Sequence, residues 1–368
     1  MIKIKSQLKN LYVERQIRRE RVCESRLVLK NVIGGVTLNR LEKQEVISTW
    51  DDIAKPIDWG EYEVFKKMNG FDARYLSHDI YLPLVARKLN NYHYTKFFED
   101  KGLLGTQQCE DLRFPYCYVR CIDGEYYDNS LKQISKQRAV DICLNQEILV
   151  WKPGRNSSGG HNVRKIVLTG QNNKVKTKEV RSLFETKVLD FVIQRQLEQH
   201  ELMSRFNETS INTFRITTLY LNGKVSLLSC ITRMGGVGSF VDNTGGGGIM
   251  VGVNPDGKMK EYGCGCECIK RDSANGVKFK DVSFSFLPSV IEFLLEHHKK
   301  SFPLCKLIGW DVCIDKDAKP IIIEINSSQP GIFYEQIASG PIFGDRTDEV
   351  IKYVKNKKFV YNRSIISY

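Results

Sequence analysis

Apolar and polar positions follow two periods along the chain, and the changes of period divide it into elements. Residues 82–104, LPLVARKLNNYHYTKFFEDKGLL, read as a helix, a polar break and a second helix. Pro115 opens the strand-like run YCYVRCI (116–122), which IDGEYYD closes as a turn. Ser135 is placed as the N-cap of a helix running through Val140 and Ile142. The apolar strand ILVWKP (148–153) then enters a polar glycine loop, GRNSSGGHN, and leaves it as the strand VRKIVLT (163–169). A charged helix is expected in EVRSLFETKVLD (179–190), followed by the short apolar strand FVIQ (191–194). From residue 213 the period is two: FRITTLYLNGKVSLLSCIT alternates around Asn222-Gly223, a pair suited to a two-residue hairpin turn. The glycine cluster VGSFVDNTGGGGIMVGV has strand-like ends, and SFLPSVIEFLLEHHKKSF (285–302) returns to helical period. Two last strands, IGWDVCID and IIIEINS, are joined by the turn KDAKP. This mixture predicts an α+β protein.

The final hairpin carries the most specific chemistry. Glu324 and Asn326 are two apart on a strand and share a face, while Asp311 on the paired strand can project to the same side. Ile323 and Ile325 are expected to face the opposite way, into a core. Two carboxylates and an amide oxygen around one point suit Mg²⁺, a hard cation that takes oxygen ligands and is completed by nucleotide phosphates. The competing reading is a hairpin with incidental acids facing solvent. It is weakened because Ile321-Ile322-Ile323 is apolar on both faces, which buries the strand, and a buried acid pair needs a cation.

Basic residues recur at positions suited to anions. Lys152 ends an apolar strand, directly before Pro153 and the loop Asn156-Ser157-Ser158-Gly159-Gly160, where glycines expose backbone N–H groups and serines add donors. The GxxxxGK[ST] spacing of a Walker A loop is absent. Arg215 and Arg233 fall on neighbouring strands, and arginine is the side chain suited to bidentate recognition of phosphate or carboxylate. Lys101, in FFEDKGLL, reads on its own as a solvated lysine.

In this order and spacing, LNNYHYTKFFEDKGLL, LVWKPGRNSSGG, FVIQRQLEQH, INTFRITTLYLNGKVSLLSCITRMGG, VDNTGGGGIMVGV and GWDVCIDKDAKPIIIEINSSQPG resemble the ATP-grasp superfamily over roughly residues 75–340. They resemble most its sugar-transfer-associated branch, tied to polysaccharide biosynthesis. The resemblance implies two α+β lobes clasping ATP. It implies that Lys101 and Lys152 contact phosphates, and that residues 157–160 (Ser157, Ser158, Gly159, Gly160) close over the triphosphate. Ile193 and Gln194 would meet adenine through their backbone. Arg215 and Arg233 would hold the γ-phosphate and an acyl phosphate, Asn243 would line the site, and Asp311, Glu324 and Asn326 would bind Mg²⁺. The implied activity is carboxylate activation by Mg-ATP and transfer to an amine or hydroxyl of a glycan or amino-acid acceptor, beside other polysaccharide enzymes. A sugar phosphotransferase and a degenerate nucleotide-binding module are the alternatives. Homodimers are common among such relatives. The ribose contact is unassigned, because Gln194 leads into Arg195 where relatives often carry an acid; Glu201 is a weak substitute.

Bulk properties sharpen this picture modestly. The 368 residues suffice for two or three domains, here divided as a basic helical extension (1–50), an N-terminal α/β domain (51–135), a small lobe with the glycine loop (136–194) and a large lobe with the metal hairpin (195–368). The net charge of +12 favours anionic partners, and no RNP, zinc-finger or helix-turn-helix signature supports nucleic acid. Basic residues in the extension, Arg15 and Arg18 among them, interleave with apolar ones, which suits either an anionic membrane face or, preferably, packing on the body. No apolar run approaches a membrane span or signal core, so a cytoplasmic protein is expected. The eleven cysteines, including the run Cys264-Gly265-Cys266-Glu267-Cys268, are then reduced thiols rather than a zinc site, whose usual C-x₂-C spacing is missing.

Overall fold

The computed structural model describes residues 12, 15, 16, 18, 19, 32, 35–106, 109, 111–155, 162–242 and 247–357. Helices α1 (Arg40–Trp50) and α2 (Gly60–Asn69) come first. Asn39 and Glu42 form a reciprocal capping box that starts α1. A helical run, 78–89, breaks at Asn90-Asn91 and resumes over 92–99, matching the helix–break–helix pattern.

The first six-stranded sheet contains β1 (Cys117–Ile122), β2 (Glu125–Tyr127), β3 (Gln133–Ile134), β4 (Ile148–Pro153), β5 (Arg164–Val167) and β6 (Phe191–Arg195), in the order β3-β2-β1-β6-β4-β5. Helices α3 (Lys136–Leu144) and α4 (Asn173–Phe184) cover one face, where Ala139, Val140, Val180 and Leu183 pack on Val119, Leu149, Trp151 and Ile193. Ser135 caps α3 as expected, accepting from the Arg138 N–H at 3.1 Å. Two expectations need correction here. The segment after β1 is not only a turn: Asp123 and Gly124 turn at φ 51° and 81°, and the β-prone Tyr126 and Tyr127 pair back onto β1. The charged helix starts six residues early, because Asn172 accepts from the Val175 N–H and caps it, and it stops at Phe184.

The second sheet holds β7 (Thr213–Leu221), β8 (Lys224–Met234), β9 (Ile249–Val253), β10 (Met259–Cys264), β13 (Leu307–Ile314) and β14 (Pro320–Asn326), ordered β10-β9-β8-β7-β13-β14. A small ribbon, β11 (Ser273–Ala274) with β12 (Val277–Lys278), stands apart. Asn222 and Gly223 take φ values of 49° and 76° and make the β7–β8 turn. One face of the sheet packs Phe214, Ile216, Trp310 and Val312 under helix α5 (Leu287–Ser301). A register shift beside Asp311 places Val312 opposite Ile322, so Ile323 is an extra residue. Ile322 and Ile325 therefore fill the core, and Ile323, expected there, is only half-buried.

Helices α6 (Phe333–Ser339) and α7 (Thr347–Asn356) pack with α1 and α2 in a third cluster through Phe333, Ile337, Val350, Trp50 and Phe65. At Arg18 the basic extension is docked: its guanidinium donates to the Asp79 carbonyl at 3.0 Å and carboxylate at 3.2 Å, and to the Lys55 carbonyl. No helix among the described residues is long and apolar enough to cross a membrane.

Asn90 joins these layers. It is buried, donates to the Leu307 and Ser327 carbonyls, and accepts from the N–H groups of Lys306 and Leu307. Replacing it with alanine strands backbone groups of both strands at the open end of the β13–β14 hairpin. Urea unfolding of Asn90→Ala should show a loss of roughly 2–4 kcal/mol.

Candidate functional site

Strand register assembles the site. Asp311 lies opposite Arg215 on β7 and opposite Glu324 on β14; Gly309 lies opposite Asn326, and Thr213 opposite Arg233 on β8. Directly opposed residues share a face. Arg215, Arg233, Asp311, Glu324 and Asn326 therefore stand together on the face away from α5. Gly309 adds no side chain to this face; a Cβ there would make ordinary contact with Arg215 Cδ at 3.4 Å and Asn326 Cβ at 3.6 Å.

Asp311 is 4% exposed. Arg215 grips it with two donors, Nε at 2.5 Å and Nη2 at 3.0 Å. Arg233 Nη2 lies 3.2 Å from Asp311 and 3.2 Å from Asp242, which also accepts from the Thr213 hydroxyl. Burial alone would raise the Asp311 pKa; Arg215 and then Arg233 pull it down to about 2. Burial works against the charge on both arginines, yet both are held above their ordinary value, Arg215 by Asp311 and Arg233 by Asp242 and Asp311. Asn326 Nδ2 donates to the Gly309 carbonyl at 3.2 Å and approaches Asp311 at 3.5 Å, which commits the nitrogen side of the amide.

The segment Glu99-Asp100-Lys101 fastens the first sheet and the helical run to this hairpin. Glu99 accepts from the N–H groups of Ser327 at 2.9 Å and Ser328 at 2.6 Å, just beyond β14. Asp100 accepts from the Gly102 N–H at 2.8 Å and from Arg155 at 2.6 Å. Lys101, 5% exposed, donates to Glu324 at 2.8 Å, and its own N–H reaches the Gly154 carbonyl at 2.9 Å. Buried Arg120 holds the same turn through the Gly102 carbonyl at 2.8 Å. Lys152, on β4, lies in the fields of Lys101, Glu324 and Asp242. Burial, with Lys101 beside it, pushes its ammonium down to about 8, against the opposing pull of Glu324.

The structure thus brings Lys101, Lys152, Arg215, Arg233, Asp311, Glu324 and Asn326 together. It also changes one premise: the cations that neutralise the buried acids are the protein's own arginines and lysine. Ile193 and Gln194 sit on an interior strand paired with both β1 and β4. Their backbone groups belong to those ladders, and the chain leaves the sheet only after Arg195, whose N–H donates to the Tyr116 carbonyl at 2.9 Å. The Gln194 side chain turns to Cys117. Ser157, Ser158, Gly159, Gly160 and Asn243 lie outside the described residues. Glu201 is exposed at the start of a short helix. Asp242 and Glu335 are further acids of the site that the sequence reading does not single out: Asp242 lies within the glycine cluster, and Glu335 lies beyond the last motif. Cys264 and Cys268 are buried, Cys266 is exposed, and all three are free of disulfides.

Among the described residues, no group of three or more His, Cys, Asp or Glu side chains is placed to hold a metal. The hairpin set is different in kind: two carboxylates and one amide oxygen, an all-oxygen donor set that fits Mg²⁺. The family model described as sugar-transfer associated ATP-grasp matches residues 85–352, well over half of the chain. The chain belongs to this family. Its two sheets with their covering helices are the two halves of an ATP-grasp fold. No curated protein matches the chain. Solved structures similar to it at low identity include the following three. The D-cycloserine synthetase DcsG is 12% identical (71% of this chain, 73% of that one, TM-score 0.42). The D-alanyl-alanine synthetase A of Vibrio cholerae O1 biovar eltor is 11% identical (67% and 61%, TM-score 0.38). An L-amino acid ligase of Bacillus licheniformis is 14% identical (72% and 49%, TM-score 0.38).

Removing the Asp311 charge leaves two half-buried arginines facing each other. Asp311→Asn should lower the unfolding free energy by roughly 3–5 kcal/mol. Because the folded pKa lies below the unfolded one, this stabilisation is present above about pH 3.9 and lost as pH falls toward about 2. Urea melts of both proteins across that window should converge at the acid end.

Proposed function

We propose that the chain is an ATP-dependent ligase that activates a carboxylate as an acyl phosphate and joins it to an amine or hydroxyl, with a sugar-bearing acceptor favoured by the family's association with sugar transfer. One observation carries the reading. Two lysines and two arginines from separate segments converge on the same point as Asp311, Glu324 and Asn326.

In this reading Lys101 and Lys152 receive the phosphate chain, and Arg215 and Arg233 face the transferring phosphoryl group, where planar donors spread its charge. Asp311, Glu324 and Asn326 would hold Mg²⁺, which supplies charge neutralisation and fixes phosphate oxygens. Gln196–Glu198, the first residues beyond the ladder, are better placed than Ile193 and Gln194 to offer backbone groups to adenine. A substrate carboxylate oxygen forms a bond to the γ-phosphorus as the bond to ADP breaks; the acceptor then displaces phosphate from the acyl carbon. Neither step needs a protein nucleophile.

Mass spectrometry of products formed from Mg-ATP with a mixed amino-acid and nucleotide-sugar pool tests the reaction. A condensed product, with ADP and phosphate in equal amounts, is expected; a stable phosphoryl-sugar overturns ligation. Glu324→Ala should lower turnover by about a thousand-fold or more while the protein still folds, with a modestly lower melting curve because buried Lys101 loses its partner.

Lys152 adds a pH signature. An arriving triphosphate raises its pKa from about 8, so binding takes up a proton. Affinity for a non-hydrolysable ATP analogue should be flat below about pH 7.5 and fall as pH rises through about 8 to 9.5. Lys152→Arg, which stays charged, should remove that fall.

A further inference from the structure

Arg215 has a second anionic neighbour that the reaction described above does not use. While Nε and Nη2 hold Asp311, Nη1 lies 3.6 Å from Oε1 of Glu335. Glu335 stands on α6 and is 2% exposed. Its other oxygen accepts from the Ser229 hydroxyl. Ser229 is opposite Thr217 on β7, two residues from Arg215, so serine, arginine and glutamate meet on one face of the sheet. Burial holds the Glu335 pKa above the usual carboxylate range, and the nearby Arg215 is the largest influence opposing that rise.

A carboxylate this deeply buried is costly without a cation. The same contact constrains the arginine. Asp311 has two tasks in the site as read above: it holds Arg215, and it belongs to the oxygen set for Mg²⁺. A divalent ion beside Asp311 weakens its hold on a neighbouring guanidinium, because the two positive charges repel and compete for the same oxygens. With Asp311 as its single anchor, Arg215 would then be free to turn away from the phosphate. Glu335 approaches from the α6 side and faces a different nitrogen at ion-pair rather than hydrogen-bond distance, so its attraction survives that competition.

We propose that Glu335 is a positioning residue that keeps Arg215 aimed at the terminal phosphate when Asp311 is shared with the metal. The inference rests on the ATP-site reading above. It assigns to α6 a role in telling a triphosphate from a diphosphate.

The test is calorimetric binding of Mg-ADP and of a magnesium complex of a non-hydrolysable ATP analogue, with no acceptor present. Glu335→Gln should bind Mg-ADP within about two-fold of wild type and the triphosphate analogue about ten-fold more weakly. Ser229→Ala, a milder change on the other Glu335 oxygen, should lose about three-fold in the same direction and serves if Glu335→Gln folds poorly. In an Arg215→Ala background, Glu335→Gln should cost nothing more, because the residue it aims is gone. Equal losses for both nucleotides, no loss for either, or full additivity with Arg215→Ala overturns the proposal. A wild-type protein that binds neither nucleotide overturns the ATP-site reading itself, and this inference with it.

Discussion

A carboxylate inside a β-sheet is charged here because two arginines on neighbouring strands clamp it. Asp311 could not remain ionised at 4% exposure on its own; Arg215 and Arg233 supply the field that holds its pKa near 2. This cluster needs β7, β8 and β13 in one register, since a slip of one residue would turn each charge into the core on the α5 side. The bulge beside Asp311 serves the same end on β14. It lets Ile322 and Ile325 both reach the core while Glu324 and Asn326 stay on the charged face.

The cluster is also arranged for exchange. Lys101 is paired with Glu324, and Arg215 and Arg233 with Asp311. In the proposed function each cation has a phosphate to move to, and each carboxylate thereby becomes available to a metal. The protein thus enters the reaction with its charges internally balanced, at a lower desolvation cost than separate buried acids and bases would carry. In that reading a triphosphate and a divalent ion would take over matched halves of the same ion pairs. Two ligands that each release the other's partner must bind with positive coupling.

The elements were largely legible in the sequence because local signals and periodicity agreed. Ile148–Pro153, the Asn222-Gly223 hairpin and the Leu287–Ser301 helix formed close to where the pattern put them. Errors arose where a single residue outweighed the pattern: Asn172 starting α4 early, or the Tyr126-Tyr127 pair continuing a hairpin past its turn. The shared face of Asp311, Glu324 and Asn326 was readable from a spacing of two and a hairpin. Which charges neutralise them was not, because Arg215, Arg233 and Lys101 come from 96, 78 and 223 positions away, and only tertiary register joins them. Glu335 carried no local sign at all; it comes near Arg215 because α6 packs over β8 and β9.

The exchange itself can be measured directly. Isothermal titration of Mg²⁺ into the protein, alone and then saturated with a non-hydrolysable ATP analogue, compares the carboxylates while they hold arginine and lysine with the carboxylates after phosphate has drawn those cations away. After correction for the metal that the free analogue binds in buffer, Mg²⁺ should bind at least about ten-fold more tightly in the presence of nucleotide, and Glu324→Ala should lose that gain. Equal Mg²⁺ affinity in the two states, or tight binding of Mg²⁺ to the protein alone, would contradict the exchange.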